Sequence, residues 1–275
     1  MITLTGFADE ISPDLELQLD VMASVGISHI ELRGVWGKNV LDLSDEEVAQ
    51  IKKRLDERGF RISSIGSPIG KISVTDDFEP HLIRFRRAIE LSRAFEAPYI
   101  RIFSFFIPEG HDAGDYREVV LDRMKQLTRI AEQEGAQLLH ENEKDIYGDI
   151  GERCLDILQA CDSPHLRGAF DPANFVQCGV RPMTEAYPLL APYVDYIHIK
   201  DAKMGSGKVV PAGEGDGELR ELVRELKQRG YAGFMSLEPH LSAAETFQGY
   251  SGPELFVTAV EALKKLLVEQ DVVWN

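Results

Sequence analysis

The segment Tyr196-Ile197-His198-Ile199-Lys200-Asp201 decides the fold, because apolar and ionisable residues alternate along it one by one. Side chains alternate between the two faces of a β-strand, so Ile197 and Ile199 share an apolar face while His198 and Lys200 share the other. In a barrel of parallel strands the outer face packs on helices, and the inner face leads into the active-site mouth. The segment therefore predicts a barrel strand that carries ionisable groups inward.

Three other segments end in the same way, with an ionisable residue on the inward parity beside apolar neighbours. They are residues 137–142 with Glu141, residues 166–171 with Asp171, and residues 234–238 with Glu238. His140 has the opposite parity to Glu141, so we expect it on the helix side as a structural histidine. The four strand ends together predict that one imidazole and three carboxylates meet in the mouth.

Short β-rich runs alternate with helical stretches along the whole chain. The predicted strands are residues 2–7, 29–33, 61–65, 99–103, 137–142, 166–171, 196–200 and 234–238. Helical periodicity fills the intervals. Ser44 and Glu47 form a capping box for a helix that stops at Gly59, whereas the helix of the sixth crossover, at residues 183–190, is the weakest. Each crossover must return the chain to the same end of the sheet, which implies parallel strands.

Eight such units in about 250 residues are typical of a (β/α)8 TIM barrel. We therefore predict an α/β protein in which residues 1–275 form a single TIM barrel domain. An open, doubly wound sheet is the rival fold, and it usually has a glycine-rich turn after its first strand. Here the first strand runs into Gly6-Phe7-Ala8-Asp9-Glu10, which is no phosphate cradle.

Composition narrows the partners of the protein. The chain has 46 acidic and 30 basic residues and a formal net charge of −16. Such a surface repels phosphate backbones and anionic membranes, so we expect no nucleic acid and no membrane partner. Neither a signal peptide nor a long apolar run is evident, and the three cysteines have no metal-knuckle spacing, so we expect a cytoplasmic protein with reduced thiols. A homo-oligomer stays open.

The inward carboxylates raise an electrostatic question. Carboxylates held close together repel one another unless they are protonated or a cation neutralises them. Three carboxylates and one imidazole make an oxygen-rich site that suits Mn²⁺, Mg²⁺ or Co²⁺, with Zn²⁺ as a further candidate. We therefore predict one divalent metal ion as the cofactor and take Mn²⁺ as the first choice.

The ordered motifs resemble the xylose isomerase-like superfamily of sugar isomerases and epimerases over essentially the whole chain. The matching pieces are Glu141-Asn142, Asp171-Pro172-Ala173-Asn174, Tyr196-Ile197-His198-Ile199-Lys200-Asp201, Pro211-Ala212-Gly213-Glu214-Gly215-Asp216-Gly217 and Leu237-Glu238-Pro239. The resemblance implies that Glu141, Asp171, His198 and Glu238 bind the metal. It also implies that Glu141 and Glu238 are the catalytic acid–base pair.

Three positions depart from patterns seen in that superfamily. Asn174 and Glu143 stand where many members carry histidine, and Met204 stands where ketose 3-epimerases carry arginine. The resemblance therefore favours the metal site without selecting the 3-epimerase reaction.

The function predicted from these features is proton transfer on a small sugar, keto-sugar or sugar phosphate through an enediolate, which gives isomerisation or epimerisation. Candidate substrate-binding residues share the inward parity or follow the strands: Glu31, Arg33, Lys71, Arg101 and Lys200. The alternative for these five is a set of ion pairs lining the barrel. The glycine-rich residues 205–217 form a lid, a phosphate grip or a plain surface loop.

Three other functions remain as alternatives. A metal-dependent lyase or dehydratase acting on a keto-polyol would use the same site. A phosphodiesterase like the abasic-site endonucleases needs many histidines, and the chain has seven in all, four of them outside the ligand segments. A non-catalytic sugar-binding barrel would not need the full ligand set.

Overall fold

The computed structural model describes residues 1–241 and 251–275. Within these ranges the sheet of the barrel has eight strands, each of which begins or ends within a few residues of its predicted position. They are β1 (Thr3–Gly6), β2 (His29–Leu32), β3 (Arg61–Ile65), β4 (Ile100–Ile102), β5 (Leu138–Glu141), β6 (Leu166–Phe170), β7 (Val194–Ile199) and β8 (Phe234–Leu237). Every pairing between them is parallel. The predicted TIM barrel is confirmed.

The strands follow one another around the barrel in the order β1-β8-β7-β6-β5-β4-β3-β2. β1 and β2 stand at the two ends of this hydrogen-bonded order and pack side by side, so the barrel is nearly closed. The register sets Ser236 of β8 opposite His198 of β7. Neighbouring strands therefore deliver their carboxyl ends to one rim.

Helices cover the outside of the barrel. They are α1 (Leu15–Ser24), α2 (Asp45–Arg58), α3 (Glu79–Ala94), α4 (Arg117–Glu134), α5 (Gly151–Cys161), α6 (Pro172–Gln177), α7 (Tyr187–Leu190), α8 (Leu219–Gln228) and α9 (Pro253–Glu269). α2 begins with the predicted capping box of Ser44 and Glu47 and ends at Gly59 in the left-handed conformation. In the described residues, no helix is long and apolar enough to cross a lipid bilayer.

The sixth crossover is irregular, as its weak pattern indicated. α6 is a short helix, and a π-helical turn at Pro182–Ala186 leads into α7. Three prolines, Pro172, Pro182 and Pro188, each lie in the first turn of one of these pieces, where a missing N–H costs nothing. The fragments bring Asp171 to the start of α6, directly at the rim.

The two faces of the strands differ as the alternation predicted. Outward residues such as Ile197, Ile199 and Leu237 are buried in the apolar core between strands and helices. The inside of the barrel is partly polar. Thr5 Oγ1 lies 2.8 Å from Ser63 Oγ, which in turn lies 2.9 Å from the Tyr196 hydroxyl. This satisfied polar layer is the floor under the rim, where the functional side chains gather.

Candidate metal centre

Four side chains converge at the carboxyl ends of neighbouring strands. Glu141 ends β5, Asp171 follows β6, His198 lies near the end of β7, and Glu238 follows β8. All four are buried, and one ligand atom from each lies within 4.8 Å of the others. Four neighbouring strands of the barrel thus each supply one side chain to the cluster.

His198 presents one ring nitrogen to the three carboxylates. Its Nδ1 is 2.9 Å from Glu141 Oε1, 3.8 Å from Glu238 Oε2 and 3.9 Å from Asp171 Oδ2. These atoms surround a common point with three oxygens and one nitrogen. That donor set suits a hard or borderline divalent cation.

The other ring nitrogen of His198 has a partner of its own. Nε2 lies 3.1 Å from Glu31 Oε2, and both side chains are completely buried. The rings of Phe7 and Tyr196 stand edge-on to the imidazole, with centroids 5.3 and 5.7 Å away. A metal-ligating histidine commonly donates its second N–H to a carboxylate, which fixes the tautomer and the ring orientation. Glu31 occupies this position.

Two asparagines hold the carboxylates of β5 and β6 in place. Asn142 exchanges two hydrogen bonds of 2.9 Å with the backbone of Asp171. Asn174 donates its amide to Glu141 Oε1 at 3.3 Å and to the Asn142 carbonyl at 2.9 Å. Neither asparagine was among the predicted site residues. Asn142 follows Glu141 by one residue and Asn174 follows Asp171 by three, but each side chain bonds to the end of the other strand, which spacing along the chain does not show.

The cluster belongs to a larger buried ion-pair network. Its acidic members are Asp9, Glu10, Glu31, Glu141, Asp171 and Glu238, and its permanently charged basic members are Arg33, Arg101 and Lys200. Among the described residues, six carboxylates thus face three cations, so this part of the network lacks three positive charges when its histidines are neutral. Buried charge that is not compensated is costly, and a divalent cation would remove most of this deficit.

The three ligand carboxylates differ in the direction of their pKa shifts. Burial raises the pKa of Glu141, but the charges of His198 and Arg101 outweigh it and lower that pKa to about 2. Burial is likewise opposed at Glu238, where Lys200 and His240 hold the pKa well below its usual value. Burial prevails at Asp171 and raises its pKa to about 6.

Two oxygens of the cluster are left without a hydrogen bond of good geometry. They are Glu141 Oε2 and Asp171 Oδ2, although Arg101 Nη1 lies 3.2 Å from the first and Lys200 Nζ 3.0 Å from the second. Buried carboxylate oxygens normally find a partner. The two unpartnered oxygens and the excess of carboxylates both fit a bound divalent cation. The four side chains are therefore suited to hold such an ion.

A family model for xylose isomerase-like TIM barrels matches residues 19–266. The chain belongs to the xylose isomerase-like TIM barrel family. No curated protein sequence matches the chain significantly.

Solved structures agree with this xylose isomerase-like fold at low sequence identity. A D-tagatose 3-epimerase-like protein superposes with a TM-score of 0.79 and 18% identity, covering 98% of both chains. The probable 3-DHS dehydratase AsbF of Bacillus anthracis gives 0.76 and 19%, covering 96% of this chain and 99% of that one. A Mycobacterium smegmatis xylose isomerase-like TIM barrel protein in complex with magnesium gives 0.69 and 20%, covering 97% of both.

A cavity of about 470 Å³ opens above the cluster of this xylose isomerase-like barrel. Of the five predicted substrate-binding residues, Arg33, Lys71, Arg101 and Lys200 line it, and Glu31 lies below it against His198. All five make the ion pairs that the sequence analysis gave as the alternative. Their contact with substrate stays a prediction.

Access to the cavity differs among the four proposed ligands. Glu238 lines its wall, whereas the other three do not. Arg101 and Asn174 line the cavity and contact Glu141 at 3.2 and 3.3 Å. His240 closes one side, with Nε2 3.1 Å from Glu238 Oε1 and 3.4 Å from Glu10 Oε1. Glu238 is therefore the ligand that a substrate would meet first.

A second cavity, of about 760 Å³, lies at the opposite end of the barrel. Its walls include His29, Arg61 and Phe234, the first residues of their strands. Barrel enzymes carry their chemistry at the carboxyl ends of the strands, and the other end serves stability. The smaller cavity above the cluster is therefore the candidate active site in spite of its size.

Proposed function

We propose that the protein is a divalent-metal-dependent isomerase or epimerase that acts on a small sugar or keto-sugar by proton transfer through an enediolate. The observation that carries this proposal is the convergence of Glu141, Asp171, His198 and Glu238 under an open cavity lined by groups of both signs. Hydroxyl-rich substrates need hydrogen-bond donors and acceptors together, and this wall supplies both.

The four converging side chains would hold the cation, and Mn²⁺ is the ion we propose. When bound, such an ion supplies Lewis-acid stabilisation of the negative charge that develops next to a carbonyl. The remaining steps belong to the chain itself. Arg33, Arg101 and Lys200 stand around Glu238 in the cavity wall and would orient the substrate oxygens.

We assign Glu238 as the group that removes the proton from the substrate carbon. Its carboxylate faces the cavity and is held by Arg33 and Lys200 at 2.9 and 3.1 Å, so its position is fixed before the substrate enters. Positioning of this kind accounts for a large share of the rate in proton transfer. For epimerisation, Glu141 would have to take up a proton from solvent and deliver it on the opposite side, which inverts the carbon centre, while Glu238 later loses the abstracted proton to solvent. For isomerisation, Glu238 would return the abstracted proton to the neighbouring carbon.

A lyase or dehydratase is the second candidate, and one observation favours it. Because Glu238 lines the cavity and Glu141 does not, Glu238 would reach the substrate more directly than its partner. Elimination of a β-hydroxyl needs one base on carbon, whereas inversion of a centre needs two groups. The similarity in fold to a probable 3-DHS dehydratase is compatible with this reaction.

The experiment combines substrate screening with metal analysis. The purified protein is incubated with free sugars, keto-sugars and keto-polyols, with and without EDTA, and the products are separated by mass: an isomer keeps the mass and a dehydration product loses water. Glu141→Gln and Glu238→Gln are compared with Glu143→Gln. Glu143 lies two residues after the end of β5, pairs with Lys71 and is not part of the cluster.

The variants separate the two candidates. Epimerisation requires both Glu141→Gln and Glu238→Gln to lose turnover, while elimination allows Glu141→Gln to keep a measurable fraction. If Glu238→Gln retains metal and wild-type turnover, its role as base is wrong. Full activity in EDTA-stripped protein would refute the proposed metal-dependent function.

A further inference from the structure

We propose that the substrate of this site is an uncharged polyhydroxy carbonyl compound and not a phosphate ester, an inference that rests on the proposed function. Three features carry it: the charge balance of the mouth, the loop after β7 and the segment after β8. In the loop and in the segment, a carboxylate of the protein already accepts hydrogen bonds that could otherwise serve a phosphate.

The first feature is the balance of charges in the buried network around the cluster. The buried network around the cluster lacks three positive charges, and a divalent cation supplies two of them. The network then still carries one excess negative charge among the residues that the structure describes. A phosphate dianion would add two further negative charges beside this buried network, in which carboxylates already outnumber cations, and uncompensated buried charge is unfavourable. An uncharged polyol leaves the balance intact.

The loop after β7 contributes to the phosphate site in many barrel enzymes. Here its glycine N–H groups bind a carboxylate of the protein itself. Asp201 Oδ2 accepts from Gly213 and Gly215 at 2.8 and 2.9 Å, and its Oδ1 accepts from Gly217 at 2.9 Å. A phosphate grip was one of the three alternatives for this loop, and these three N–H groups are already bound by Asp201.

The segment after β8 is the second usual contributor, with the N-terminus of a nearby helix. Residues 239–263 contain neither lysine nor arginine. Just before α9, both the backbone N–H and the hydroxyl of Ser251 donate to Glu10 Oε2, at 3.2 and 2.9 Å. Glu10 is completely buried. In the described part of this segment, a carboxylate of the protein therefore binds the N–H and hydroxyl of Ser251.

Two lysines that line the cavity, Lys71 and Lys144, do not offset the excess of negative charge in the buried network. Lys71 Nζ lies 3.1 Å from Glu143 Oε2 and 4.3 Å from the centre of the Phe103 ring, so its charge is matched. Lys144 lines the rim, is exposed and precedes Asp145. Solvent and salt screen an exposed ammonium, which makes it a weak anchor for a phosphate.

The test measures binding and does not need the natural substrate. Isothermal titration calorimetry on Mn²⁺-loaded protein compares D-fructose, D-xylulose and D-ribulose with their terminal phosphate esters, and with inorganic phosphate. We expect each ester to bind at least about tenfold more weakly than its parent sugar. An ester that binds more tightly than its parent overturns the inference.

A single variant tests the electrostatic reason. Glu143→Gln leaves Lys71 unpaired at the cavity wall, so it should raise the affinity for the esters several-fold and leave that for the parent sugars unchanged. Equal changes for both would contradict the charge argument. The two proposals fail separately: protein that retains no divalent ion refutes the proposed function, whereas metal-loaded protein that prefers esters refutes only this inference.

Discussion

Nε2 of His198 lies 3.1 Å from the carboxylate of Glu31, and neither side chain is exposed to solvent. The contact joins β2 to β7 across the inside of the barrel. With its Nε2 proton held there, His198 keeps Nδ1 directed at the three ligand carboxylates. A residue that the sequence suggested for substrate thus lies where it would set the geometry of the metal site.

Glu31→Gln should weaken metal binding while the barrel remains folded. The amide keeps the volume of the side chain, but it is a poorer acceptor and carries no charge, and loss of such a partner typically costs about 10–100-fold in metal affinity. The affinity is measured by competition with a chelator, next to circular dichroism of the metal-free protein. Glu143→Gln is the control and should change the affinity less than about threefold. Equal affinities of Glu31→Gln and the wild type would show that the contact is only structural.

Asp201→Ala should loosen the glycine loop after β7. The substitution leaves the N–H groups of Gly213, Gly215 and Gly217 without their acceptor. We expect a loss of about 2 kcal/mol or more in the free energy of unfolding, and faster hydrogen exchange at these three amides. The exposed Asp216 accepts one backbone N–H, so Asp216→Asn is the matched control with little effect. Unchanged exchange in Asp201→Ala would refute the anchoring role.

Gly70 is a position where only glycine fits. Its φ is +91°, and an added Cβ would fall far inside van der Waals contact with the carbonyl of Phe103. Gly70→Ala should therefore destabilise the protein by roughly 3 kcal/mol or more. Gly37 also has positive φ, at +72°, but open space around it, so Gly37→Ala should cost only about 1 kcal/mol. Urea unfolding compares the two; equal losses would mean that the contact with Phe103 is relieved easily.

His81 makes stability depend on pH. The Gly70 N–H donates to His81 Nε2 at 2.7 Å, so the folded state needs the neutral ring. Burial, with help from Arg84 and Arg123, lowers the pKa of His81 to about 4. Because the folded pKa lies below the unfolded one, the contribution is complete above about pH 6.5 and is lost as pH falls towards 4, by up to roughly 3 kcal/mol.

Glutamine can keep an acceptor at this place without titrating. His81→Gln should therefore lose less stability than the wild type between neutral pH and about pH 4.5. Urea unfolding at several pH values measures the difference between the two slopes. Parallel slopes would show that other groups cause the acid sensitivity.

Much of this architecture could be predicted from periodicity. The one-by-one alternation in β7 and β8 set Ile197 outward and His198 inward because strand geometry leaves no other choice. Cross-barrel partners could not be predicted in the same way. The alternation of side chains along the strands predicted that Glu31 and Arg101 point inward. It could not predict that Glu31 contacts His198 or that Arg101 contacts Glu141. Those pairings depend on side-chain length and on the register of strands distant in sequence.

The loop contacts were harder to predict from the sequence than the strand pairings. Glycine spacing in residues 205–217 allowed a lid, a phosphate grip or a surface loop. What decides is the carboxylate of Asp201, which lies at the end of β7 and gathers the glycine amides around itself. No local pattern gives such a contact, because the donors lie 12 to 16 residues away along the chain.

Glu141, Asp171, His198 and Glu238 are proposed to bind one divalent ion together. Titration of EDTA-stripped protein with Mn²⁺, followed by electron paramagnetic resonance, measures this binding. We predict one tight site per chain in the wild type, and an affinity at least about 100-fold lower in the double variant Asp171→Asn/His198→Gln. A wild type that binds no ion, or a double variant that binds it as tightly, would contradict the claim.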